Sequence, residues 1–134
     1  MRFHPLAAAL AALVPALAQA AIPADIDNAF ARYTQMPHEL LPILRKAQDK
    51  ESANAAATEL NAVLPKLYEL RSELTKISSL KPEVSAELVR KYSMTMRRNW
   101  GKVYEEIFRL QKQRCYDSLA FFKQFQVLCM MLDQ

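Results

Sequence analysis

Ala56, Leu60, Val63, Leu67, Leu70, Leu74 and Ile77 recur at alternating intervals of four and three residues without a miss. Residues at that spacing fall on one stripe of an α-helix, and no strand, whose side chains alternate with period two, would gather them on one face. The stripe is three heptads long, the signature of a helix that packs along its length against another helix. Ala53 and Ala57 widen it, Asp49 suits the N-cap position, and Glu51 lies in the first turn, where the helix dipole favours an acid. Pro65 falls inside the run and cannot donate to Asn61, so a kink is expected there rather than a break, because the stripe passes through it unbroken.

After Ile77 the sequence Ser78-Ser79-Leu80-Lys81-Pro82 interrupts the pattern, and Pro82 with Glu83 suits the first turn of a new helix. A second stripe follows at Val89, Ser93, Met96, Trp100, Val103, Ile107 and Leu110. Two such helices joined by a short loop predict a long antiparallel hairpin over about residues 49–78 and 82–115. Gly101, the one glycine of the chain, lies inside the second helix at a cost of about 1 kcal/mol against Ala, which suggests close helix packing or a gentle bend. So little glycine leaves no material for the tight turns of a β fold. Residues 24–33 and 39–47 read as shorter helical pieces divided by Pro37, with Phe30, Leu40, Leu41 and Leu44 available to cover the hairpin. The fold class predicted is all-α, a bundle of three or four helices.

The start of the chain has a different grammar. Arg2 precedes an apolar stretch from Leu6 to Leu17, and Ala18-Gln19-Ala20 places small residues at the two positions that signal peptidase reads. This predicts a signal peptide over residues 1–20, export to the periplasm or outside the cell, and a single domain over residues 21–134. The apolar stretch is nearer 12 residues than the roughly 20 of a spanning helix. Removing Arg2 from the 18 Lys and Arg leaves 17 against 14 Asp and Glu, a net charge of +3 that singles out no partner class.

The C-terminal segment is apolar almost all round: Leu119, Phe121, Phe122, Phe125, Val127, Leu128, Cys129, Met130, Met131 and Leu132 are interrupted only by Lys123, Gln124 and Gln126 after Ala120. Such a helix is buried in something, yet it is too short and too polar at its middle to span a bilayer. Two readings follow. The segment packs under the N-terminal pieces, or Phe121, Phe122, Phe125, Leu128, Met130 and Met131 form a surface for a partner protein or a second copy. Cys115 and Cys129 would lie about 21 Å apart on a straight helix, too far for a disulfide, and a chain reversal near residues 116–118 or 123–124 would have to be made without Gly or Pro. Free thiols or an intermolecular bridge are expected.

Little else carries chemistry. The mature chain holds one histidine, His38, and two cysteines, so no metal site, cofactor site or catalytic group is expected from the sequence. Phosphate-cradling loops and the Gly-x-Ser-x-Gly elbow need glycines that are absent. Glu87 with Lys91 and Glu105 with Arg109 read as exposed i,i+4 ion pairs. Lys91, Arg98, Lys102, Arg109 and Lys112 fall opposite the second stripe and form a basic row that an anionic envelope surface would attract, diluted by Glu87 and Glu105. A small exported enzyme using carboxylates or Cys115 is the remaining alternative, and it requires a concave pocket that gathers them. Export disfavours nucleic acid as a partner.

Overall fold

The computed structural model describes residues 21–77 and 79–133, and the expected signal peptide lies outside them. Among the described residues, five α-helices follow one another: α1 (Ala24–Gln35), α2 (Pro37–Lys46), α3 (Lys50–Thr75), α4 (Pro82–Lys112) and α5 (Leu119–Leu132). All described regular structure is helical, and α3 runs through Pro65 as one helix.

Proline sets the first junction. Pro37 begins α2 and has no N–H to return to the Tyr33 carbonyl, which the Met36 N–H reaches at 3.3 Å and which has room for a second donor. Trp100 Nε1 donates to the Tyr33 carbonyl at 3.0 Å, and Asn99 Nδ2 donates to the Thr34 carbonyl at 2.8 Å. The Trp100 ring stacks on Tyr33, with centroids 4.7 Å apart. A backbone defect imposed by one proline thus becomes the anchor between α1–α2 and the middle of α4.

The other end of this rod is held by Arg109. Its Nη2 donates to the Leu44 carbonyl and its Nη1 to the Ala47 carbonyl, both at 2.9 Å, which satisfies carbonyls at the C-terminus of α2 with a cation where the helix dipole favours one. Nη1 also donates to the Tyr116 hydroxyl at 2.8 Å, and Nε to Glu106 at 2.6 Å. α3 then starts on a capping box: the Ser52 N–H donates to Asp49 Oδ1 at 2.7 Å, and Asp49 N–H donates back to Ser52 Oγ at 3.0 Å. Ser52, through its backbone N–H first and its side chain second, holds the Asp49 carboxyl below its ordinary pKa.

The cross-helix bonds give the topology. Asp27 with Lys91, Thr34 with Asn99 and Leu44 with Arg109 advance together, so α1–α2 runs parallel to α4. Arg32 with Glu73, Glu39 with Lys66 and Lys46 with Glu59 advance oppositely, so it runs antiparallel to α3. The two long helices are antiparallel, as the hairpin predicts. Their backbones do not meet, however: α1 and α2 pack against both, and the stripes are joined through that intervening rod. Leu40, Leu44, Leu60, Leu67, Val103 and Leu110 form the centre of one core.

Two expectations about α4 change. Its stripe is buried from Trp100 to Leu110, with Met96 half-buried, but Val89 and Ser93 are exposed; Leu88 is buried instead, and half-buried Tyr92 donates to the Asp27 carbonyl of α1. A helix that is not supercoiled drifts about 20° per heptad from a 3.5-residue repeat, so over three heptads the far end turns by about 60°, more than half of the roughly 100° between successive residues. Gly101 is not a close-packing glycine, because a Cβ built there would meet nothing within 4 Å.

Candidate functional site

α4 ends at Lys112, and the chain reverses through Arg114, Cys115, Tyr116 and Asp117, whose φ values are 54°, 53°, 54° and 57°. This is a turn of left-handed helix, a conformation that costs an L-residue about 1–2 kcal/mol at each position, built without glycine. Contacts offset the strain. Cys115 is buried, the Tyr116 hydroxyl accepts from Arg109, and buried Ser118 caps α5 by accepting from the Phe121 N–H at 3.1 Å while its hydroxyl donates to Asn54.

After the reversal α5 lies along α3, parallel to it, and packs on the turn, but it does not pack on α4. The gap is a groove of about 650 Å³ between the end of α4 and the outer side of α5. Leu110, Cys115 and Phe125 form its floor; Leu119, Phe122, Cys129 and Met130 form its α5 side. Gln111, Arg114 and Asp117 mark the turn end, Gln126 the middle and Asp133 the far end. A concave, mostly apolar surface with a few polar groups at its edges is the usual form of a binding site.

α5 therefore carries two stripes. The inner one, Phe121, Phe125 and Leu128, is buried against the core. The outer one, Leu119, Phe122, Gln126, Cys129 and Asp133, repeats at intervals of three and four and has no covering helix in the described residues. The surface expected from sequence divides accordingly. Phe121, Phe125 and Leu128 are core, corrected by the position of α3 alongside; Phe122 and Met130, 42% and 66% exposed, remain outward; Met131 is half-buried against the core edge. Sequence reading missed Leu119 as part of the site. The second heptad spacing was the signal that could have found it.

The two thiols meet at this site. The reversal needed to bring Cys115 and Cys129 together does occur at residues 114–117, using left-handed non-glycine residues, and both thiols are free. Burial pushes the Cys115 thiol up to about 11, with the neighbouring Cys129 adding to it, and burial raises Cys129 as well, helped by Asp133. Both are protonated at neutral pH, the form in which a thiol is a poor nucleophile. Asp117 and Asp133 border the same groove, so the pocket required by an enzyme reading exists, with burial there favouring the protonated form of the Cys115 thiol. His38 is exposed in the first turn of α2 and belongs to no cluster; no group of three or more His, Cys, Asp or Glu converges among the described residues.

Comparison with protein-family models, with curated proteins and with solved structures returns no match.

The basic row is divided by the fold. Lys91 is paired with Asp27 at 2.9 Å, and Asp27 also accepts from the Tyr92 hydroxyl; together these donors keep its carboxyl below the ordinary value. Arg109 is turned onto the carbonyls of α2 and so leaves the row. Arg98, Lys102 and Lys112 stay exposed. The ion pairs on α4 are also not those expected: Glu87 pairs with Arg90 and Glu106 with Arg109, each three residues apart. No described helix is long and apolar enough to cross a membrane.

Proposed function

We propose that the chain is an exported helical-bundle protein that acts by docking an amphipathic helix, from a partner protein or from a second copy, into the groove between α4 and α5, without catalysis. The observation that carries this reading is the outer stripe of α5, in which Leu119, Phe122 and Cys129 alternate with Gln126 and Asp133 at heptad spacing along a 650 Å³ groove, with no covering helix among the described residues. α5 spans about 21 Å, so a guest helix of about four turns matches it. An interface of that length falls well short of the roughly 1,600 Å² of a standard complex, so binding in the micromolar range and reversible exchange are expected. The raised thiol pKa values support a docking floor rather than a nucleophile. Export rests on the grammar of residues 1–20 and places the action in the periplasm or outside the cell.

The test uses residues 21–134. Light scattering over a range of concentration reads self-association, and fluorescence anisotropy of a labelled amphipathic peptide with leucines at i, i+3, i+4 and i+7 reads capture of a foreign helix. One of the two is expected to saturate, to persist at high salt and to be lost in Phe122→Asp. A clean monomer that ignores the peptide, or binding that Phe122→Asp leaves intact, overturns the reading.

A further inference from the structure

Away from the groove, the outward side of α4 carries a single row, Arg90, Met94, Arg97, Gly101, Glu105, Phe108 and Lys112, at intervals of three and four from residue 90 to the end of the helix. Two of its members are large apolar side chains held in solvent: Met94 is 76% exposed and Phe108 67%. They are 14 residues apart, about 21 Å on the same side of a straight rod. Around them stand Arg97, Arg98, Lys102 and Lys112, all exposed, against Glu83 and Glu105. Gly101 leaves the middle of the row without a side chain, and open space surrounds the place where one would be. The basic row expected from sequence is displaced by this arrangement, because Lys91 and Arg109 are engaged with α1 and α2.

We infer that this face of α4 lies on an anionic lipid surface, with Met94 and Phe108 entering the headgroup layer and Arg97, Arg98, Lys102 and Lys112 engaging lipid phosphates. A cationic helix face with protruding apolar side chains is the pattern of an interfacial helix, in which charge attracts and apolar anchors retain. A line of contacts along a straight helix suits a flat surface that offers the same chemistry at every point. An acidic protein would need an apolar pocket for each of Met94 and Phe108, about 21 Å apart and in register with the cations, whereas a lipid surface needs no such match. The inference is independent of the groove, and a chain with both features would present a docking site held at the envelope surface.

Co-sedimentation of residues 21–134 with phosphatidylcholine vesicles, with and without about one-third phosphatidylglycerol, tests it. Binding to the anionic vesicles is expected to exceed binding to neutral ones by about tenfold or more, and to weaken as salt rises from about 50 to about 300 mM. Both Arg97→Glu with Arg98→Glu, and Met94→Asp with Phe108→Asp, are expected to reduce it by about tenfold or more. All four side chains are exposed, and unchanged thermal unfolding verifies the fold. Phe122→Asp, which disables the groove, should bind vesicles normally. Absence of binding, equal binding to neutral vesicles, or retention by the Met94 and Phe108 variant overturns the inference. Soluble poly-glutamate competing as well as the vesicles would replace lipid with an acidic protein, and loss in Phe122→Asp would transfer the binding to the groove.

Discussion

α3 and α5 are both apolar helices that lie side by side, and they differ in how their apolar surface is covered. α3 has helices on two sides, α1–α2 and α5, and Leu60, Leu64, Leu67 and Leu70 are all buried. α5 has α3 on one side and a groove on the other, so Phe121 is fully buried while its neighbour Phe122 is 42% exposed. Two adjacent phenylalanines thus have different places, one in the core and one, under the proposed function, in the docking surface. The lesson is that apolar content alone does not locate a site; the site is where an apolar stripe lacks a covering element.

The sharpest way to break this contrast is to truncate the pair. Phe121→Ala removes a ring from the core between α5 and α3 and is expected to cost about 3–5 kcal/mol, read by urea unfolding. Phe122→Ala is expected to cost less than about 1 kcal/mol while abolishing helix docking. Similar losses of stability at both positions would mean that the outer stripe is core and the groove closed.

A second contrast lies within the groove. Cys115 is at its floor with a thiol pushed up to about 11 from an ordinary 9, and Cys129 is half-buried beside it. At pH 8 the thiolate fraction of Cys115 is about 100-fold below that of an ordinary cysteine, so its alkylation in the native protein should be slower by at least that factor and recover on unfolding. Cys129 should alkylate faster than Cys115 and be protected by a docked helix. Rapid native alkylation of Cys115 would show a corner that opens readily and would revive its candidacy as a nucleophile.

Arg109 ties the covered and open regions together, since it reaches both the end of α2 and Tyr116 in the reversal. Arg109→Ala leaves the Leu44 and Ala47 carbonyls without this donor, and a loss of about 2–3 kcal/mol in urea unfolding is expected. Arg109→Lys keeps the charge but not the fork, and should recover less than half of the loss. An unaltered midpoint in both would mean that water replaces the guanidinium at the α2 terminus.

How far the sequence reaches follows from these same residues. The helices of α3 and α4, the Asp49 cap and the all-α class were legible because spacing and capping are local properties of the chain. The placement of α1–α2 between the long helices was not, because it depends on Trp100, Asn99 and Arg109 finding carbonyls more than sixty residues away. The same long-range bonds removed Arg109 from the basic row that helical angles alone had assigned to solvent. In α5 the composition announced an unusual segment, but only the position of α3 decides which aromatic faces in.

The smallest effect tests the most curious allocation in the chain. Its one glycine sits in a right-handed helix with nothing within 4 Å of its missing Cβ, while four residues with side chains take the left-handed turn where glycine is favoured. Gly101→Ala should therefore stabilise the protein by up to about 1 kcal/mol, since it gains helix propensity and meets no neighbour. Arg114→Gly should come out between neutral and about 1 kcal/mol stabilising, because relief of the left-handed penalty competes with the greater freedom of the unfolded chain. Thermal unfolding reads both. If Gly101→Ala destabilises, the face of α4 around residue 101 is covered in solution, and the outward row proposed to meet lipid would instead be packed against protein. If Arg114→Gly costs stability, the side chain of Arg114 does more at the mouth of the groove than border it, and the left-handed turn is held in part by that residue.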